Sequence, residues 1–155
     1  MNADPMVHCL PAASLCLLIS GLALGAAPPQ EAAPIKVACV GDSITFGSGL
    51  PDRARTTYLL LLNHLLGNDH QIRNFGVSGA TMLTNGNKPW TGTAEARQAL
   101  EWQPDVVVIK LGTNDSKRVN WDPHGASFEA DTRELIGRFR ELAPQSRILL
   151  CLPVP

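Results

Sequence analysis

The sequence predicts an α/β protein built on a parallel sheet, and three observations carry that prediction. Short apolar runs alternate along the chain with longer helical patterns, as expected for strands joined by helical crossovers. The run Val106–Leu111 is almost entirely β-branched, which is typical of a strand buried on both faces. The first three apolar runs end in loops of glycine and small polar residues, at the sheet edge where doubly wound folds bind ligands.

The first half of the chain begins with a predicted strand. Val37–Val40 is a continuous apolar run bounded by Pro34 and Gly41, which indicates a short buried strand. Pro51–Arg55 follows as a polar surface turn. Thr56–Leu66 is long and apolar enough to predict a single, mostly buried helix, which a glycine then ends.

The middle of the chain supplies a second strand and a second helix. His70–Phe75 reads as a short strand that runs into a small-residue loop. Thr84–Gly92 is irregular, and Thr93–Trp102 fits a helix of weak periodicity. Val106–Leu111 is the third strand, and a loop containing Trp121–Pro123 is predicted to follow it.

The end of the chain predicts one more helix and one more strand. Phe128–Leu142 carries its apolar residues on one face, which indicates an amphipathic helix, and Arg147–Leu152 is the fourth strand. A doubly wound sheet that stops at the carboxyl end of a strand looks truncated. The expectation is therefore an exposed sheet edge and a marginally stable, aggregation-prone product.

Composition bounds the class of function. The 155 residues carry 45% hydrophobic residues, enough for one globular domain with a core. Thirteen Lys and Arg stand against fourteen Asp and Glu, so no basic excess attracts nucleic acid or anionic membrane. Four cysteines and four histidines show no metal-ligand spacing, so neither a metal nor a cofactor is expected.

The first 34 residues differ from the rest. An uncharged apolar stretch, small residues and a proline-rich spacer follow one another, which is the order in a secretory signal peptide. The apolar stretch is short for a membrane span, which needs about 20 residues. One feature departs from the signal-peptide pattern, because the segment before the apolar stretch has no Lys or Arg. The predicted organisation is a signal peptide over residues 1–27, a linker over 28–34 and one domain over 35–155, exported to the periplasm or secreted.

The two cysteines outside that leader lie in strand-like apolar runs. Cys39 and Cys151 therefore read as core residues, since free cysteine packs as a small hydrophobe. A disulfide between them stays open in an oxidising compartment.

Three strand-end residues have the chemistry of acyl transfer. Ser43 can supply a nucleophilic hydroxyl and its own N–H, Gly79 a second N–H, and Asn114 a neutral amide donor for an oxyanion. The alternative for Asp42-Ser43 is ordinary helix-capping chemistry. Trp90 and Trp121 lie in loops, where they can either stack on a sugar or act as loop anchors.

These residues also carry a family resemblance. Gly41–Thr45 (GDSIT), Asn74–Thr81 (NFGVSGAT) and Gly112–Asp115 (GTND) resemble the first three sequence blocks of the SGNH, or GDSL-type, hydrolases. The resemblance implies a flavodoxin-like three-layer α/β/α fold and ester hydrolysis through a serine acyl-enzyme. It implies that Ser43 is the nucleophile, that Ser43, Gly79 and Asn114 form the oxyanion hole, and that Asp42 and Asp115 support them.

Finer sequence likeness suggests a substrate. The phrases NFGVSGAT, KLGTNDSK followed by NW, and CLPVP are similar to secreted bacterial members that are often described as sialate O-acetylesterase-like. That similarity implies removal of acetyl groups or other short acyl groups from small esters or carbohydrates.

The fourth block of that family, Asp-x-x-His, supplies the catalytic base, and these 155 residues do not contain it. His64, His70 and His124 are poor replacements because nothing in the sequence places them beside the nucleophile. The expectation is that this chain alone is nearly inactive. The alternative is a non-catalytic, ligand-binding remnant of the fold. A nucleotide-binding domain is disfavoured, because the first strand precedes neither a GxGxxG motif nor a P-loop lysine.

Overall fold

The computed structural model of the chain describes residues 32–153. Their centre is one sheet of four parallel strands: β1 (Ile35–Gly41), β2 (His70–Gly76), β3 (Val106–Lys110) and β4 (Arg147–Leu150). The strand order is β2-β1-β3-β4, which is the order of the first four strands of a flavodoxin-like sheet. The predicted α/β fold with a parallel sheet is confirmed. The predicted signal peptide, residues 1–27, and residues 28–31 of the predicted linker lie outside the described residues.

Six helices accompany the described sheet. They are α1 (Ser43–Phe46), α2 (Arg53–Thr56), α3 (Tyr58–Leu66), α4 (Ala94–Glu101), α5 (Arg118–His124) and α6 (Phe128–Leu142), with 3₁₀ turns at Trp90–Gly92 and Gly125–Ser127. The Thr93 hydroxyl caps α4 by accepting the Ala96 N–H at 3.1 Å. Across residues 32–153, no helix combines the length and the apolar character needed to cross a membrane.

The larger part of the core lies between one face of the sheet and helices α4 and α6. The sheet contributes Val107 and Ile109, which are fully buried, and α6 contributes Leu135 and Phe139. The Trp90 and Phe139 rings stack with centroids 6.4 Å apart. Burying each such large side chain stabilises the fold by about 1.5–3 kcal/mol, so this face dominates the stability of the domain.

The other face of the sheet is thinly covered. Its buried residues are Val37, Cys39 and Leu59, and α3 is the helix that contributes Leu59. On α3, Leu61 and Leu65 are 60% and 71% exposed. The prediction of a mostly buried helix was therefore wrong, because within the described residues α3 touches the sheet along a single stripe and nothing packs on its outer side.

Three further elements differ from the sequence prediction. Thr57 is extended and separates α2 from α3, so Thr56–Leu66 is not one helix and part of the predicted polar turn is helical. On β3, Val106 and Val108 are only half-buried, because they face the thin layer. Trp121–Pro123 belongs to α5 and not to a loop, with Pro123 inside the last turn.

Candidate active site

The ends of the first three strands in the chain lie level with one another at one edge of the sheet. Gly41 pairs in register with Gly76 of β2 and with Lys110 of β3. Because the strands are parallel, the loops 42–50, 77–89 and 111–117 leave the sheet on the same side. These loops carry Ser43 and Gly79 together with Asn114, as the sequence pattern predicts.

Ser43 begins helix α1 directly after a sharp turn. The Asp42 Oδ1 atom accepts the Ile44 N–H at 2.9 Å and caps the helix. Gly47, with φ of 85°, ends α1 after four residues, and the Gly47 and Ser48 N–H groups both bond the Ser43 carbonyl oxygen. The turn requires glycine at position 41, because a Cβ atom there would lie 2.1 Å from the Thr45 hydroxyl oxygen.

Helix α1 is held against the end of β2 by Asn74. The Asn74 amide donates to the Thr45 carbonyl oxygen at 2.8 Å, and the Asn74 Oδ1 atom accepts the Gly76 N–H at 2.9 Å. A Cβ atom at Gly76 would lie 2.3 Å from the Phe46 nitrogen, so only glycine permits this close approach. Backbone packing therefore fixes the helix that carries Ser43 relative to the second loop.

Hydrogen bonds on both sides of Gly79 tie its loop to the other two. The Ser48 hydroxyl in the first loop donates to the Ser78 hydroxyl at 3.0 Å. The Asn114 amide in the third loop donates to the Ala80 carbonyl oxygen at 3.0 Å. Gly79 itself has φ of 81°, and the nearest atom to its Cβ position is 3.8 Å away. Its backbone is thus held in a conformation that favours glycine, with the Lys88 side chain at van der Waals distance from the Cβ position.

The third loop contains two buried polar residues whose side chains hydrogen-bond within the described residues. Asn114 is 6% exposed, and its Oδ1 atom accepts the Lys117 ammonium at 2.8 Å. The Asp115 carboxylate accepts the N–H groups of Met82 and Leu83 at 3.0 and 2.7 Å. Asp115 thereby braces the segment that follows Gly79, and its support of the catalytic residues stays a prediction.

Two positioning residues were missed at the sequence level. Asn120 of α5 is buried, accepts the Asn87 N–H at 2.8 Å and donates to the Asn114 carbonyl oxygen at 2.8 Å. Asp131 of α6 accepts the Thr84 N–H at 2.8 Å. Both lie on helices where Asn and Asp are ordinarily solvent-facing, and they contact residues more than 30 positions away. The amphipathic pattern of α6 gave no signal for Asp131, and Asn120 falls in the NW phrase of the family likeness, which assigned it no role.

The two tryptophans have different environments. Trp90 is fully buried, and its indole N–H donates to the Phe75 carbonyl oxygen at 2.8 Å. It is a loop anchor and does not line the solvent side of the site, which is one of the two roles left open for it. Trp121 is 48% exposed and packs against Phe128 with ring centroids 5.9 Å apart. Trp121 therefore keeps an accessible aromatic surface near the third loop.

Within the described residues, Ser43 has no basic partner. The histidines His64, His70 and His124 lie on α3, at the start of β2 and in the last turn of α5, and none of them hydrogen-bonds Ser43. Residues 32–153 contain no cluster of three side chains suited to a metal ion. The Asp42 Oδ2 atom is buried with no hydrogen-bond partner in the part of the chain that the structure describes.

Of the two cysteines predicted to lie in the core, Cys39 is buried and Cys151 is only half-buried. Cys39 is fully buried on the sheet face that α3 covers, where it clusters with Leu59. Both cysteines are free thiols. Burial raises the pKa of the Cys39 thiol to about 11, because the thiolate would lose its hydration. A hydrogen bond with Tyr58 opposes this shift of the pKa only in part.

Comparison with known proteins places the chain in a family. Residues 39–155 match the GDSL-like Lipase/Acylhydrolase family. A curated acetylxylan esterase from Xylanibacter ruminicola is 41% identical over 146 residues, covering 83% of this chain and 30% of that protein.

Solved structures share the fold. A carbohydrate esterase family 2 enzyme from Corynascus thermopiles, with its carbohydrate-binding domain, has 26% identity and a TM-score of 0.57, and the match covers 83% of this chain and 47% of that one. A catalytic mutant of an acetylxylan esterase from Geobacillus stearothermophilus has 22% identity and a TM-score of 0.57, covering 78% and 60%. This chain thus spans less than two thirds of each relative. The family match over most of the chain, together with the GDS, GVSG and GTND loops at one sheet edge, shows that the chain belongs to the GDSL-like lipase/acylhydrolase family.

Proposed function

We propose that this chain carries the nucleophile and the oxyanion hole of a serine esterase that removes acetyl groups from carbohydrates. The observation that carries the proposal is the linkage of the three loops, through Ser48 to Ser78 and through Asn114 to Ala80. This linkage supports the assembly of Ser43, Gly79 and Asn114 into one site. The acetylxylan esterase relative, at 41% identity, supports the acetyl group and the carbohydrate.

The proposed reaction proceeds in two steps. The Ser43 hydroxyl oxygen attacks the acetyl carbonyl carbon, and the carbonyl oxygen becomes an oxyanion that the N–H groups of Ser43 and Gly79 and the Asn114 amide stabilise. The bond between the acetyl carbon and the sugar oxygen breaks, and the sugar leaves as an alcohol with a proton. Water then hydrolyses acetyl-Ser43 to acetate and regenerates the serine.

The serine proton must pass to a base for this reaction to be fast. Because no histidine of residues 32–153 hydrogen-bonds Ser43, we infer that this chain by itself is a slow esterase. In the serine-protease template, the oxyanion hole and binding alone retain about 10³–10⁴-fold catalysis over water. The residual rate therefore reports mainly on the oxyanion hole.

Trp121 extends the proposal to the sugar. It borders a cavity of about 270 Å³ next to the third loop, whose other lining residues are Gly112, Ser116, Phe128 and Pro153. An exposed indole beside an apolar cavity can stack on a sugar ring. We further propose export of the chain, with residues 1–27 as the signal peptide.

The test is Ser43-dependent chemistry in the full chain. Hydrolysis of 4-nitrophenyl acetate and of acetylated xylotriose is measured for the wild-type chain, for Ser43→Ala and for Ser127→Ala. The matched control, Ser127, precedes α6 and makes no capping hydrogen bond. We expect slow hydrolysis and covalent labelling by a fluorophosphonate, both lost only in Ser43→Ala.

The alternative function gives a different result. Binding of acetylated xylotriose that survives Ser43→Ala, with no labelling and no Ser43-dependent hydrolysis in the wild-type chain, would show a ligand-binding remnant and overturn the proposed esterase.

A further inference from the structure

We propose that Lys117 is a positioning residue for the oxyanion hole, which it serves by fixing the orientation of the Asn114 amide. The inference rests on the proposed function, in which Asn114 donates a hydrogen bond to the oxyanion. Lys117 is the residue directly before α5, and its ammonium lies 2.8 Å from the Asn114 Oδ1 atom. It thus acts on the reaction through Asn114 and does not touch the substrate.

The chemistry of the two partners fixes which end of the amide is which. The Ala80 carbonyl oxygen only accepts hydrogen bonds, and the Lys117 ammonium only donates them. The amide nitrogen therefore faces Ala80, at 3.0 Å, and the amide oxygen faces Lys117. A flipped amide would set two acceptors against each other at Ala80 and two donors against each other at Lys117, so both contacts oppose the flip.

This arrangement leaves one donor for a ligand. The Asn114 amide has two N–H groups, and the described residues account for one of them, which bonds Ala80. The second N–H is available to an incoming oxyanion. The Lys117 ammonium also polarises the Asn114 amide, because hydrogen bonds that share a group strengthen one another. Its bond to the amide oxygen is charge-assisted and therefore roughly twice as strong as a neutral one. Polarisation makes the remaining N–H a stronger donor.

The Asn114 backbone is held by a residue of helix α5. Asn120, in the first turn of α5 and 1% exposed, donates to the Asn114 carbonyl oxygen at 2.8 Å. The side chain of Asn114 is therefore oriented by Lys117 and its main chain by Asn120. Helix α5, which the sequence pattern did not predict, supplies Asn120, and Lys117 is the residue directly before it.

Three variants test the role of Lys117. Lys117→Met removes the ammonium but keeps a long side chain, and Lys117→Arg keeps a cation. Arg118→Met is the matched control, because it removes the neighbouring cation, whose side chain is 93% exposed and pairs with Asp122. The full chain is used throughout, and the fold of each variant is checked by its thermal unfolding midpoint.

The first readout is kinetic. We expect Lys117→Met to lower the Ser43-dependent hydrolysis of 4-nitrophenyl acetate about tenfold through kcat, with KM unchanged and the chain still folded at the assay temperature. Asn114→Ala should lower the rate by about 10²–10³-fold. Lys117→Arg should restore the rate to within about twofold of wild type, and Arg118→Met should leave it unchanged.

The second readout does not depend on catalysis. The two side-chain N–H protons of Asn114 are followed by ¹⁵N NMR, and we expect their chemical shifts and solvent exchange to change in Lys117→Met and to return toward wild type in Lys117→Arg. Asn114 amide signals that are identical in Lys117→Met and the wild-type chain would overturn the positioning role. A wild-type rate that does not depend on Ser43 would instead defeat the proposed function, and the NMR comparison would still decide the role of Lys117.

Discussion

Asp115 shows how a single carboxylate shapes a loop that lies far from it in sequence. Both of its oxygens are occupied by backbone N–H groups, from Met82 and Leu83, and the residue is 1% exposed. An amide at this position cannot replace a carboxylate, because its nitrogen would face a second donor. The residue type therefore follows from the need for two acceptors at one buried point.

We therefore predict that Asp115→Asn destabilises the fold. One buried N–H loses its acceptor, and the free energy of unfolding in urea should fall by about 1–3 kcal/mol. Asp122→Asn is the control, since that carboxylate is 57% exposed in its pair with Arg118, and its effect should stay within about 0.5 kcal/mol. Equal effects of the two substitutions would contradict the bracing role of Asp115.

The two described thiols allow a second prediction at the same scale. The pKa of Cys39 is raised to about 11 from 9.0 by burial, so between these values the unfolded chain releases a proton that the folded chain keeps. The stability contributed by the neutral thiol is full below pH 9 and is lost as the pH rises through 11. At pH 8.5, iodoacetamide should modify half-buried Cys151 much faster than Cys39 in the folded chain, and the two at similar rates in urea, as read by peptide mass spectrometry. Loss of both thiols without alkylation would instead indicate a disulfide.

At the scale of elements, the strands were predictable and the helices only partly so. The apolar runs between Pro and Gly mark β1 and β3 because buried parallel strands need continuous apolar residues. Helix α5 was missed because Pro123 normally ends a helix, and here it sits in the last turn, where the helix stops one residue later. The break at Thr57 was missed because a threonine carries no strong local preference against a helix.

In the candidate site, the strand-end residues were predictable from the sequence and the contacts that brace them were not. The places of Ser43, Gly79 and Asn114 at one edge of the sheet could be predicted, because strand ends and small residues are local features of sequence, and their catalytic roles stay a prediction. The bracing contacts could not be predicted, because they join loops through residues such as Asn120 and Asn87, 33 positions apart. Only the folded chain brings these partners together. The sequence patterns of α5 and α6 do not distinguish a buried Asn or Asp from a solvent-facing one.

At the scale of the whole molecule, the two faces of the sheet are unequally covered. Helices α4 and α6 cover one face, whereas α3 alone covers the other in the described residues. Strand β4 lies at an edge of the sheet, with Leu149 and Leu150 each about half exposed (50% and 52%). Exposed apolar side chains on an edge strand favour self-association, and the aggregation expected from the sequence stays a prediction.

The outer side of α3 lets this expectation be tested without disturbing the core. Leu61 and Leu65 are exposed, whereas Leu59 is 6% exposed and packs under the helix. The double variant Leu61→Lys, Leu65→Lys should reduce light scattering on heating while changing the free energy of unfolding by less than about 1 kcal/mol, since each surface change costs within about 0.5 kcal/mol. Leu59→Ala should lower the free energy of unfolding by about 2–5 kcal/mol, because the substitution leaves a cavity. A double variant as unstable as Leu59→Ala would mean that the outer side of α3 is covered. Light scattering that does not change in the double variant would place the association surface elsewhere, and the β4 edge would be the next surface to alter.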